Sequence, residues 1–138
     1  MQVVACYPYP KFPIISITGT RCAFRCKHCN RRYLAGMISC TRPSELPELC
    51  ERLAARGARG ILLSGGFNPD GYVPFEPFLD QIERVKESTG LILSAHVGLP
   101  PSWLARELGR AGIDIVDFDL IGDTETISRV IGSGKTAS

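Results

Sequence analysis

Three cysteines fall within eight residues of "TRCAFRCKHCN" (20–30), spaced Cys22-x3-Cys26-x2-Cys29. Thiolates are soft ligands that suit zinc and iron. Three of them cannot close a tetrahedral zinc site, which usually takes four ligands. They can hold three irons of a [4Fe–4S] cube and leave the fourth iron open to chemistry. A second reading closes the site with a fourth ligand, such as His28 or Cys40, and gives a non-catalytic iron–sulfur or zinc protein. A disulfide framework fits poorly. It needs an oxidising compartment, and residues 22–29 are too crowded for separate long-range bridges.

The elements that must position this loop alternate in type. "PIISIT" (13–18) is apolar and rich in β-branched residues, is followed by Gly19, and reads as a first strand buried on both faces, with the cysteine loop directly after it. "SELPELCERLAARG" (44–57) reads as a first helix, capped by Ser44 and ended by Gly57, with Leu46, Leu49, Cys50, Leu53 and Ala54 on one face. Strands follow at 60–66, 91–97 and 114–122, and helices at 74–90, 100–112 and from 123 to 132. The endings "RGARG", "STG" and "RAG" look alike, each a helix end with glycine. The series implies an α/β fold with a parallel sheet and right-handed crossovers. Functional groups in such folds gather at the C-terminal ends of the strands. There the sequence places the cysteines, Gly65-Gly66, His96, Asp117 and Asp119.

The chain has 138 residues and a formal charge of +2, with 44% hydrophobic residues, the balance of one modest globular domain. Nothing approaches the ~20 apolar residues of a membrane span, and the start lacks a secretory pattern, so a cytoplasmic location is expected. Charge is uneven. Residues 1–44 carry seven basic and no acidic side chains; the rest carries nine basic and fourteen acidic. Arg21, Arg25, Lys27, Arg31 and Arg32 surround the cysteines. A nucleic-acid patch is one reading of them, but no recognisable module with stacking aromatics accompanies them. The other reading is electrostatic: nearby cations ease reduction of an anionic cluster and attract an acidic electron donor.

Cys-x3-Cys-x2-Cys on the loop after the first strand of a β/α series resembles the radical S-adenosylmethionine superfamily. The resemblance implies a partial (β/α)6, TIM-like barrel, of which residues 1–138 supply about four units and would form the N-terminal part of the core. It implies that Cys22, Cys26 and Cys29 ligate three irons of a [4Fe–4S] cluster. The open iron would chelate S-adenosylmethionine, and one electron would cleave it to methionine and a 5′-deoxyadenosyl radical that takes hydrogen from substrate. It places His28 near the adenine, in a position that is usually aromatic. It makes Ser64-Gly65-Gly66-Phe67 the counterpart of a Gly-Gly-Glu-like turn whose backbone binds the methionine ammonium. Phe67 replaces the acidic residue, so that carboxylate contact is lost or supplied elsewhere. Asp117 and Asp119 would bond the ribose hydroxyls, or one of them is a satisfied strand-end carboxylate. His96 would touch cofactor or substrate, or be a hydrogen-bonded core histidine. An acidic donor such as ferredoxin or flavodoxin would reduce the cluster.

"ISITGTRCAFRCKHCN", "YLAGM" and "LLSGGFNPDGYVPFEPFLD" resemble the two-protein lipoyl synthases, relatives of biotin synthase in which two radical proteins act together. They insert sulfur at two unactivated carbons of a protein-bound octanoyl chain. The last strand, at 114–122, would expose a parallel edge that further sequence or a partner must cover. "LIGDTE" (120–125) resembles part of an adenine-side motif. "GSGKTAS" lacks the spacing and the preceding strand of a phosphate loop. Cys50 reads as a small core residue. Cys6 and Cys40 are candidate ligands of an auxiliary cluster.

Overall fold

A computed structural model describes residues 9–119 and 122–131. Cys6, the first two residues of "LIGDTE" (120–121) and the "GSGKTAS" tail, which includes Gly132 at the expected end of the fourth helix, lie outside the described residues.

The strands are β1 (Ile14–Ser16), β2 (Ile38–Ser39), β3 (Gly60–Ser64), β4 (Ile92–His96) and β5 (Ile115–Asp117). They form one parallel sheet in the order β2-β1-β3-β4-β5. The helices are α1 (Leu46–Ala55), α2 (Leu79–Ser88), α3 (Ser102–Arg110) and the single turn α4 (Thr124–Thr126), which continues as a π-helical turn over Ile127–Ile131. This is the expected α/β architecture of repeated β/α units, consistent with a partial TIM-like barrel. It has one strand more than the sequence suggests, because β2 lies inside the first crossover and pairs with β1 through Ile15–Ile38 and Ser16–Ser39.

Two periodicities build the core. Helices α1, α2 and α3 each bury a stripe at helical spacing: Leu46 and Cys50, Ile82 and Val85, Leu104 and Leu108. Alternate strand residues Ile15, Ile61, Leu63, Leu93 and Ala95 are buried with them in one cluster. The other strand residues point to the opposite face. There Ser16 pairs in register with Ser64, and His96 with Asp117. That face carries polar groups up to the strand ends, while the helix-covered face is apolar. β1 is accordingly not buried throughout, since Ile14 is exposed.

Helix ends show what glycine and proline each do. Gly57 and Gly112 adopt φ of +90° and +93°. Each closes a Schellman turn, through Gly57 N–H to Ala54 O with Ala58 N–H to Leu53 O, and Gly112 N–H to Gly109 O with Ile113 N–H to Leu108 O. The third look-alike ending differs: α2 stops at Thr89, whose hydroxyl donates to Val85 O at 2.7 Å. Ser44 is not the cap of α1. Pro43–Glu45 form a 3-10 turn leading into the helix, and no side chain caps it. Pro77 likewise sits in a 3-10 turn (Glu76–Phe78), so α2 starts five residues later than expected. Asp123 does cap α4, accepting from Thr126 N–H at 2.7 Å.

Phe75 is completely buried in the loop between β3 and α2. Phe75→Ala removes a large core side chain and should cost about 3–5 kcal/mol, read as a lower urea midpoint. Trp103→Ala, at a half-exposed position, should change stability by no more than about 0.5 kcal/mol in the same titration.

Candidate functional site

The cysteine loop leaves β1 through Thr18 and Gly19. One hydroxyl organises its start. Thr18 Oγ1 accepts from the buried Gly66 N–H at 2.7 Å and donates to Arg21 O at 3.0 Å, so it ties the cysteine loop to the glycine turn after β3. Backbone contact completes the joint, with Ala23 N–H donating to Phe67 O at 2.7 Å. Gly66 has no room for a side chain. A Cβ there would lie 2.5 Å from Cys22 Cβ and 2.6 Å from Cys22 Cα, and would run into the Arg21 carbonyl.

Beyond Cys22 the loop is held by its own backbone and by two arginines. Phe24 N–H points at Cys22 Sγ at 3.4 Å. Cys29 and Asn30 N–H both reach Cys26 O, at 3.0 and 2.7 Å. Asn30 and Arg31 take left-handed φ values of 46° and 65°, a conformation disfavoured for arginine. Arg31 offsets this by donating through Nε to Phe24 O at 3.1 Å. Arg32 donates to Cys29 O and His28 O. The turn after α4 approaches the loop from the far side of the sequence: Lys27 N–H donates to Val130 O at 2.8 Å, and Cys26 Sγ lies 3.6 Å from Ile131 O.

Cys22, Cys26 and Cys29 are partly buried and share one open cavity at the C-terminal ends of the strands. Ser64, Gly65, Gly66 and Asp119 line the same cavity, and the exposed His28 stands in its wall. Asp117 does not line it. Its carboxylate accepts from Ser94 Oγ at 2.7 Å, so of the two aspartates this is the one satisfied within the sheet.

His96 is more than a core histidine. It is about a quarter exposed, its Nδ1 lies 3.4 Å from Ser64 Oγ, and its Nε2 lies 3.1 Å from Asp119 Oδ2. Phe67 stacks on its ring at 5.7 Å between centroids and meets Phe24 edge-on at 6.4 Å. Sequence reasoning left this assembly unread, as it did Thr18. The only available signal was the placement of all these residues at strand ends.

The remaining cysteines stand apart. Cys40 is buried, with its Sγ directed at Arg42 O at 3.7 Å, and lies outside the cavity. Burial raises its thiol pKa, and burial pushes that of Cys50 up to about 12. Burial also raises Cys26, helped by neighbouring Cys22. Metal coordination is what makes such a thiol give up its proton. Among the described residues, no three His, Cys, Asp or Glu side chains converge as ligands of a single ion. A cube distributes its ligands over separate irons, one thiolate to each. Three thiols around an open cavity, with no fourth cysteine among the described residues that line it, fit such a cluster with one accessible iron.

The parallel β/α sheet and the three-thiol cavity at its strand ends define an iron–sulfur protein built to bring a ligand to its cluster. Residues 16–138 match the Radical SAM superfamily, and the chain belongs to it. No curated protein matches the chain. Enzymes of this superfamily use a [4Fe–4S] cluster and S-adenosylmethionine. Cluster and cofactor together supply an electron and a 5′-deoxyadenosyl radical, which removes hydrogen from substrate. Among the described residues, no helix is long and apolar enough to cross a membrane.

Gly66→Ala forces the cysteine loop away from the glycine turn. It should therefore lower iron and sulfide content after anaerobic reconstitution, as well as S-adenosylmethionine affinity. Gly90→Ala, where an added Cβ meets open space, should load normally in the same assay.

Proposed function

We propose that Cys22, Cys26 and Cys29 each ligate one iron of the cluster, and that the protein is a lipoyl-synthase-like radical enzyme inserting sulfur into a protein-bound octanoyl chain. The observation that carries the cluster assignment is the common cavity: three thiols face the same space as the Ser64-Gly65-Gly66 turn. The substrate class is supported by the phrasing around the motifs quoted above. The residues present have separable tasks. The thiolates hold the cluster. The glycine turn lets backbone groups approach the methionine end of the cofactor. His28, which lines the cavity, would meet the adenine in this reading. Phe24, Phe67, Leu34 and Ile131 give the cavity apolar walls that limit water around a radical.

A closed, non-catalytic site is the competing assignment. Of its two candidate fourth ligands, Cys40 is buried outside the cavity, which leaves His28. Adding S-adenosylmethionine to the reconstituted protein separates the two. An open cube changes its electron-spin spectrum on binding, whereas a closed one does not. Replacing Cys22, Cys26 or Cys29 by Ala should abolish cluster binding, and Cys50→Ala should retain it, as measured by iron content. For the substrate, the assay is anaerobic turnover with an octanoylated carrier peptide, with and without a second radical protein. Absence of sulfur insertion under both conditions would remove the lipoyl assignment while leaving the cluster assignment standing.

The electron donor in this reading is acidic, of the ferredoxin or flavodoxin kind, and the enzyme works in the cytoplasm. Arg21, Arg25 and Lys27 are exposed on the cysteine loop and supply the positive rim. Arg25→Glu should slow reduction by flavodoxin at low salt, through weakened steering. It should leave reduction by dithionite, a small anion needing no docked geometry, much less affected. Stopped-flow bleaching of the cluster reads both rates.

A further inference from the structure

We propose that Arg31 is the internal charge that sets how readily the cluster accepts its electron, and that Asp119 opposes it from the same cavity. The proposal rests on the cluster assignment above and concerns the cluster alone, before any cofactor binds. Five cations surround the cysteines in the sequence, and the fold separates them. Arg21, Arg25, Lys27 and Arg32 are exposed. Arg31 is partly buried, and among the described residues it is the one Lys or Arg that lines the cavity of the three thiols. Asp119 is the one carboxylate there. Exposed charges are screened by salt within about 10 Å at 0.1 M ionic strength, whereas a charge in a cavity wall is screened much less.

Three features single out Arg31. Its backbone is left-handed, with φ 65° and ψ 5°, a conformation that glycine adopts freely and arginine does not. Strain of this kind gathers at functional sites. Its Nε donates to Phe24 O at 3.1 Å, which ties the guanidinium to the segment between Cys22 and Cys26. Among the described residues, no carboxylate lies within ion-pair distance of it. Glycine at this position would relieve the backbone. What arginine adds is a permanent positive charge, because a guanidinium does not deprotonate in proteins. A cube held by three thiolates is anionic, and the electron it receives from the acidic donor makes it more so. A fixed cation nearby favours the reduced form, and a fixed anion favours the oxidised form. Arg31 and Asp119 therefore pull the reduction equilibrium in opposite directions. Arg31 is the stronger, because Asp119 is 70% exposed and already meets Nε2 of His96 at 3.1 Å.

The test is a redox titration of the anaerobically reconstituted full chain without S-adenosylmethionine, followed by electron-spin spectroscopy, with iron content measured first. Arg31→Gly suits the left-handed backbone and should load iron as wild type does. Its equilibrium constant for reduction should nevertheless fall roughly tenfold, which is about 59 mV for a one-electron couple. That shift should persist in about 0.5 M salt. Arg31→Lys keeps the charge and should stay within about threefold of wild type. Asp119→Asn should raise the constant about threefold. Arg25→Gln, on the exposed rim, should change it by less than about twofold. Equal potentials in wild type and Arg31→Gly overturn the proposal. So does an equal shift in Arg25→Gln, a shift that salt erases, or a shift of the same sign in Arg31→Gly and Asp119→Asn. Loss of the cluster from Arg31→Gly would make the side chain a prop of the loop, and overturns the proposal as well. Failure of the wild-type protein to take up a cluster overturns it together with the cluster assignment. A wild-type cluster whose potential ignores Arg31 overturns this proposal alone.

Discussion

The site depends on the absence of a side chain at Gly66. The cysteine loop and the turn after β3 approach so closely that Cys22 occupies the space a Cβ would need, and the Thr18 hydroxyl pins that approach by bonding both loops. The separation between the first thiol and the glycine turn is thereby set by backbone contact, which is stiffer than any pairing of long side chains. Register supports it from below. Ser16 opposite Ser64 in the β1–β3 ladder brings the two strand ends level. A one-residue slip would turn every inward group to the wrong face.

The sheet divides its two faces between stability and chemistry. The helix-covered face is a continuous apolar cluster to which α1, α2 and α3 each contribute a stripe. The other face carries buried serines, which are tolerable because each has a partner. Ser16 Oγ donates to Gly19 O at 2.7 Å, Ser94 Oγ donates to Asp117, and Ser64 Oγ meets His96. These bonds run toward the strand ends. The polar groups of the sheet thus continue without a break into the histidine and aspartate that wall the cavity.

Much of this was legible in the sequence, for identifiable reasons. Strand and helix periods are strong signals when a run is long enough to repeat, as in "GILLS" or the stripes of α1 and α2. The cysteine spacing is local, so its chemistry can be read without a fold. β2 escaped because two exposed residues carry no period; only pairing with β1 makes them a strand. Ser44 misled because the neighbouring Pro43 and Pro47 favour a 3-10 entry over a side-chain cap. The link from Ser64 through His96 to Asp119 joins residues 32 and 23 positions apart. No local pattern encodes it. It follows from parallel register, which aligns the ends of β3 and β4 and delivers the segment after β5 beside them.

The bond from Lys27 N–H to Val130 O has a consequence for the order in which the protein takes shape. Cys26 and the carbonyl beside it, that of Ile131, are 105 residues apart in the chain. The ribosome therefore releases the thiols long before the segment that closes over them, and this contact spans nearly the whole sheet, the kind that forms late in folding. Until then the cysteine loop is docked on one side and open on the other. Maturation of the metal site is consequently separated from synthesis of its ligands by the time needed to add the 105 residues that carry the chain from Cys26 to Ile131, an interval in which the reduced thiols must be kept from oxidation.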